Sequence, residues 1–195
     1  IIHMAKSEEK EVKEVKESAA KPSEEEKLRE LIGGARDEKK AAMAEEAAAS
    51  ETATKAERFQ SFIKENDISY FDEPQALDDQ FHTTIFRSRI EAKGQVMPMA
   101  IFIDDSIFTM IRTQVAMGIN VKNVDRIKGH LNMLNAEYKI FKYYLREDGN
   151  IYLDVCVPFV DETFDSRMIQ TMLGLLVQQL EAVYEELMAV IWAKD

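Results

Sequence analysis

Residues Asn123–Trp192 read NVDRIKGHLNMLNAEYKIFKYYLREDGNIYLDVCVPFVDETFDSRMIQTMLGLLVQQLEAVYEELMAVIW. Val124, Ile127, Leu131 and Leu134, spaced 3, 4 and 3, predict a helix with one apolar stripe, capped by Asn120 or Asn123. Two short alternating runs follow, separated by Glu147-Asp148-Gly149, and they read as a hairpin. Ile151, Leu153, Val155 and Val157 share one face of the second strand. A two-residue Asp148-Gly149 loop would oppose them with Lys142, Tyr144 and Arg146, whereas a three-residue loop opposes them with Phe141, Tyr143 and Leu145. Directly paired residues point the same way, so the three-residue loop is the one that keeps a face apolar. It also places Gly149 at the left-handed position of a type I turn with a G1 bulge. Pro158 ends the strand, and Thr163 to Ser166 supply the cap of the last helix.

That last helix carries Ile169, Leu173, Leu176, Leu180, Val183, Leu187 and Val190 at spacings of 4, 3, 4, 3, 4 and 3. Covering its own sheet accounts for this seam. Met168, Met172, Leu175, Tyr184, Met188, Ile191 and Trp192 widen the apolar arc, and a helix apolar over more than one face has more than one surface to bury. Met172, Leu175, Tyr184, Met188, Ile191 and Trp192 are therefore the candidate interface of a homodimer.

Upstream, the aromatic residues begin at Phe59, and residues 1–57 are mostly Ala, Glu and Lys. Such a segment buries too little apolar surface to offset its ordering entropy, so it is expected to be a mobile tail or solvated helix outside an α+β domain over 58–195. Ile1–His3 read as an addition ahead of Met4. Within the extension, Ser23 and Glu26 form a capping box before Leu28, Leu31 and Ile32. A helix over about 54–66 opens the domain with Phe59, Phe62 and Ile63. A loop through Asp72, Pro74 and Asp78-Asp79 leads to strands near 81–91, 95–104 and 106–116, with turns at Gly94 and Asp104-Asp105. Val96–Ile103 is apolar on both faces, which suggests that both are covered, and Pro98 suggests an edge or a bulge. The expected order is α-β-β-β-α-β-β-α, an antiparallel sheet with a long C-terminal helix.

Leu134-Asn135-Ala136-Glu137-Tyr138, Lys142-Tyr143-Tyr144-Leu145, Asp148-Gly149-Asn150 and Leu153-Asp154-Val155 occur in the order helix end, strand, turn, strand. With the long helix after them, this pattern resembles the YbjN-like family and the wider type III secretion chaperone-like fold over about 58–192. The resemblance implies a non-enzymatic, protein-binding or regulatory role, often with dimerisation. It carries no catalytic motif.

A net charge of −11 spread along 195 residues disfavours nucleic acid and anionic membrane as partners. No apolar run is long enough to span a bilayer, and a cytoplasmic location is the default expectation. The seven glycines form no phosphate-binding pattern, and no cofactor is expected. His82 and His130 lack partners at metal-ligand spacing, so no metal site is expected. Cys156 reads as a small structural residue in the absence of a nearby base. Asp78-Asp79, Asp104-Asp105 and Asp161-Glu162 fit turn and cap chemistry better than acid–base work. Lys142, Tyr144 and Arg146 read as a solvated outer sheet face that could also meet an acidic partner. The domain methionines read first as core filling and second as an adaptable binding surface. The leading reading is a protein-binding module that buries a partner segment on an apolar sheet or helix surface. The rival is an enzyme or small-ligand protein, which a deep polar pocket holding His82, Cys156 or several carboxylates would favour.

Overall fold

A computed structural model describes residues 53–193, Asn120 apart. The capping box at Ser23 and Glu26, the cap at Asn120 and nearly all of the charged extension lie outside the described residues. The first helix, α1 (Lys55–Glu65), opens on a capping box of its own. Glu57 N–H donates to the Thr54 hydroxyl at 3.2 Å while Thr54 N–H donates to the Glu57 carboxylate at 2.8 Å. Its inward Phe59 meets Phe86 edge-to-face at 4.9 Å.

Four strands follow: β1 (Gln75–Ala76), β2 (Thr84–Ala92), β3 (Gln95–Ile103) and β4 (Phe108–Ala116). Helix α2 (Val124–Glu137), the hairpin β5 (Phe141–Leu145) and β6 (Ile151–Pro158), and helix α3 (Ser166–Ile191) complete the order. The expected α+β architecture holds, with β1 as an additional two-residue strand inside the anticipated loop. All pairings are antiparallel and the sheet runs β1-β2-β3-β4-β6-β5.

The hairpin registers as expected: Phe141 faces Val155, Tyr143 faces Leu153 and Leu145 faces Ile151. Gly149 adopts φ +77°, and its N–H donates to the Arg146 carbonyl at 3.1 Å, closing the turn. Lys93 and Gly94 both have positive φ, so a two-residue turn matched to strand twist joins β2 to β3. Asp165 caps α3 by accepting from Arg167 N–H at 2.9 Å. Asn123 sits where α2 begins but makes no side-chain cap; its amide donates to the Ala193 carbonyl at 3.2 Å and ties the start of α2 to the end of α3.

The pleat sorts the strands into two faces. Phe86, Met97, Met99, Ile101, Ile103, Ile111, Tyr143, Leu153 and Val155 point inward and share one core with Phe59, Ile127, Leu131 and the α3 seam. Their alternates point to a face that no described helix covers. Val96–Ile103 is thus not covered on both sides: Val96 and Pro98 are exposed, and Ala100 and Phe102 are half-buried. Pro98 is tolerated in an interior strand because the β3–β4 ladder stops at Met99–Thr113, leaving no partner for the missing N–H. At the β5 edge, the side-chain amide of Asn135 receives Tyr143 N–H at 2.7 Å and donates to the Tyr143 carbonyl at 2.9 Å.

Candidate functional site

The uncovered sheet face carries an ordered polar array. Cross-strand partners Arg87, Ala100, Arg112, Asp154 and Lys142 form one row over five strands. At its centre Arg112 grips Asp154 through two hydrogen bonds of 2.9 Å. The Tyr144 hydroxyl donates to the same carboxylate at 3.1 Å. Asp154 is only 7 % exposed, so its charge is held by these donors rather than by water.

Aromatic rings line the pair. The Arg112 guanidinium lies 5.5 Å from the Phe102 ring centre, 5.9 Å from that of Tyr144 and 5.8 Å from that of Tyr152. Tyr144 and Tyr152 stack at 5.7 Å, with Lys142 over the first and Arg146 over the second. Burial, and then the Asp154 charge, push the Tyr144 hydroxyl up to about 12. The Asp154 hydrogen bond raises Arg112 above its ordinary value. Arg87, Arg89, Arg112 and Lys142 occupy outward positions on this face and Arg146 lies over Tyr152, against Glu91, Asp154, Asp72 at the edge and Asp148, which pairs with Arg146 at 4.0 Å. A chain of net charge −11 therefore presents a face with a local excess of positive charge.

Beside the row is a depression of about 300 Å³. Its floor is Pro98 and Ala100, and Arg87, Arg89, Arg112 and Tyr152 rise around it, with Asp72 at its edge. Gln75 accepts a hydrogen bond of 2.5 Å from Arg87. The Arg89 side chain makes no hydrogen bond or ion pair among the described residues.

A second cavity, of about 420 Å³, lies between the start of α1 and the loops flanking β1 and β3. Lys55, Glu57, Glu73, His82, Asp104 and Asp105 contribute to its wall. Most of these groups are committed to structure. Lys55 is buried and donates to the Ser106 carbonyl, Glu57 serves the helix cap, and Asp104 accepts from Ser106 N–H and Oγ. His82 Nδ1 meets Asp105 at 2.6 Å, an interaction that raises the imidazole above its ordinary value. This carboxylate partner was missed from sequence because two separate loops bring the residues together. No trio of His, Cys, Asp or Glu among the described residues is arranged to hold a metal.

Cys156 projects from the open face and is not in that wall. Partial burial and the neighbouring Asp154 raise its thiol, which lowers the thiolate fraction that a nucleophile needs. Asp79 accepts from Phe81 N–H, Thr83 N–H and the Thr83 hydroxyl, in keeping with turn chemistry.

The six residues singled out on α3 do not converge. Ile191 is fully buried in the core. Met172, Tyr184 and Met188 pack partly buried against the same core. Leu175 and Trp192 are exposed, at 38 % and 51 %. They flank opposite sides of the seam, and 17 residues at 1.5 Å each set them about 25 Å apart along the axis. Among the methionines, Met97 and Met99 fill the core while Met117, Met133 and Met168 are exposed.

No family model matches the chain, and no curated protein or solved structure matches it either. No helix among the described residues is long and apolar enough to cross a membrane.

Proposed function

We propose that the chain is a non-enzymatic protein-binding module, chaperone-like or regulatory, whose docking surface is the open sheet face. The observation carrying this reading is that the described helices all pack on one side, leaving Phe102, Tyr144, Tyr152 and the charged row available on the other. The resemblance of Leu131–Val157 to the YbjN-like pattern supports the same role. Half-buried aromatics beside arginines form the kind of surface from which interface anchors are drawn. Affinity purification from the native host with the wild-type chain and with Phe102→Ser/Tyr152→Ser tests it. A partner recovered by the first and lost by the second is expected, whereas equal recovery removes the open face from the reading.

Self-association remains part of the proposal through the exposed Met168 and Leu175 or through Trp192, each flank serving separately. Light scattering that finds a monomer in concentrated solution removes it. The cavity at His82 favours a second reading, a small-ligand protein or enzyme, because it joins a histidine to several carboxylates.

A further inference from the structure

We propose that the open sheet face binds an acidic peptide segment, with a carboxylate side chain of that segment seated in the depression over Pro98 and Ala100 between Arg87 and Arg89. The inference rests on the protein-binding reading above and adds the partner's chemistry to it.

Three observations converge on the depression. Its floor is made by the two smallest outward residues of β3, and a space of about 300 Å³ accommodates a side chain rather than a folded surface. Its rim brings together three guanidiniums, the group whose forked donors match a carboxylate. These three are not equally committed. Arg112 is neutralised by Asp154, and Arg87 gives one nitrogen to the neutral Gln75 amide, while Arg89 has no anionic partner among the described residues. Among the described residues Asp72 is the only carboxylate in the wall, so the depression retains positive charge. Lys142, beyond Asp154 at the β5 edge, adds a further cation on the same face, while Arg146 is shared with Asp148 at 4.0 Å.

Single-stranded nucleic acid is the competing polyanion, and the geometry disfavours it. Base stacking needs free ring faces, whereas Tyr144 and Tyr152 stack on each other with cations over both. A long phosphate chain would also run beyond the patch onto a chain of net charge −11, while a short peptide is screened from distant charge within about 8–10 Å.

The test titrates the full chain with fluorescein-labelled peptides of Glu-Leu repeats, Lys-Leu repeats and Ser-Leu repeats of equal length, and with oligothymidine, at low and high salt. The Glu-Leu peptide is expected to bind and to weaken with salt. Arg87→Glu/Arg89→Glu is expected to lose at least about tenfold in affinity, the effect of removing close charge complementarity. Arg89→Gln alone, a neutral change at an exposed position, should lose less and keeps the test decisive where the double variant fails to fold. Failure of the Glu-Leu peptide to bind, or unchanged binding by folded Arg87→Glu/Arg89→Glu, overturns the proposal. Equal binding of the Ser-Leu or Lys-Leu peptide overturns the acidic chemistry and leaves the broader docking reading standing. Preference for oligothymidine assigns the face to nucleic acid and overturns both.

Discussion

The two faces of the sheet are built by the same strands on opposite principles. The covered face is aliphatic and aromatic, and where it admits polar atoms it leaves some alone: the hydroxyls of Thr109 and Thr113 have no hydrogen-bond partner among the described residues. The open face carries its charges in water or half-buried, and its one deeply buried carboxylate, Asp154, has three donors. Burial holds the first face together. On the second, charge pairing lets a surface that is too polar to be a core still be ordered enough to present a fixed shape.

The strongest way to break the covered face is to open a hole under α3. Leu180→Ala removes a fully buried side chain and should cost about 2–5 kcal/mol, read as a lower denaturation midpoint with an unchanged slope. A loss well under 1 kcal/mol would mean that α3 is not the lid of this core. On the open face, Asp154→Ala strands the Arg112 guanidinium over its rings and should cost about 2–4 kcal/mol. Replacing both partners, as Arg112→Met/Asp154→Leu, should recover most of that loss, because the unpaired charge goes with its partner. A double variant as unstable as the single one would show that the pair is not the unit. The smallest effect concerns Cys156. Its alkylation should accelerate with a midpoint above the ordinary thiol value of 9.0, and Asp154→Asn should bring that midpoint down. A midpoint below 9.0 would mean that the open face is wetter and less negative around the sulfur than its geometry implies.

Local chemistry made the hairpin legible. Alternation fixed which residues must share a face, and Gly149 could occupy a position with positive φ, so the register followed without tertiary information. The pairing of β4 with β6 was not accessible in that way. β5, although earlier in sequence, takes the edge, and so Arg112 and Asp154 meet across 42 residues. Their separate outward alternation was visible, but the salt bridge was not. The 4-3 seam of α3 holds from Ile169 to Leu187 and departs only at its last position, Val190, for a geometric reason. A straight helix drifts about 20° per heptad from a strict seven-residue repeat. Three heptads on, Ile191 has turned into the core and Val190 is only half-buried. The apparent surplus beside the seam was partly core seen from the wrong angle. The His82 site was missed because neither loop holds a signal for the other.

The Asn135 amide beside Tyr143 has a consequence for how this protein can go wrong. An edge strand offers its outward N–H and C=O to any passing extended chain, which is how sheets recruit strangers and grow into fibrils. Here a side chain from the adjacent helix occupies both groups at the middle of β5, imitating the peptide of a neighbour that never arrives. At that edge, a seventh strand would first have to evict Asn135.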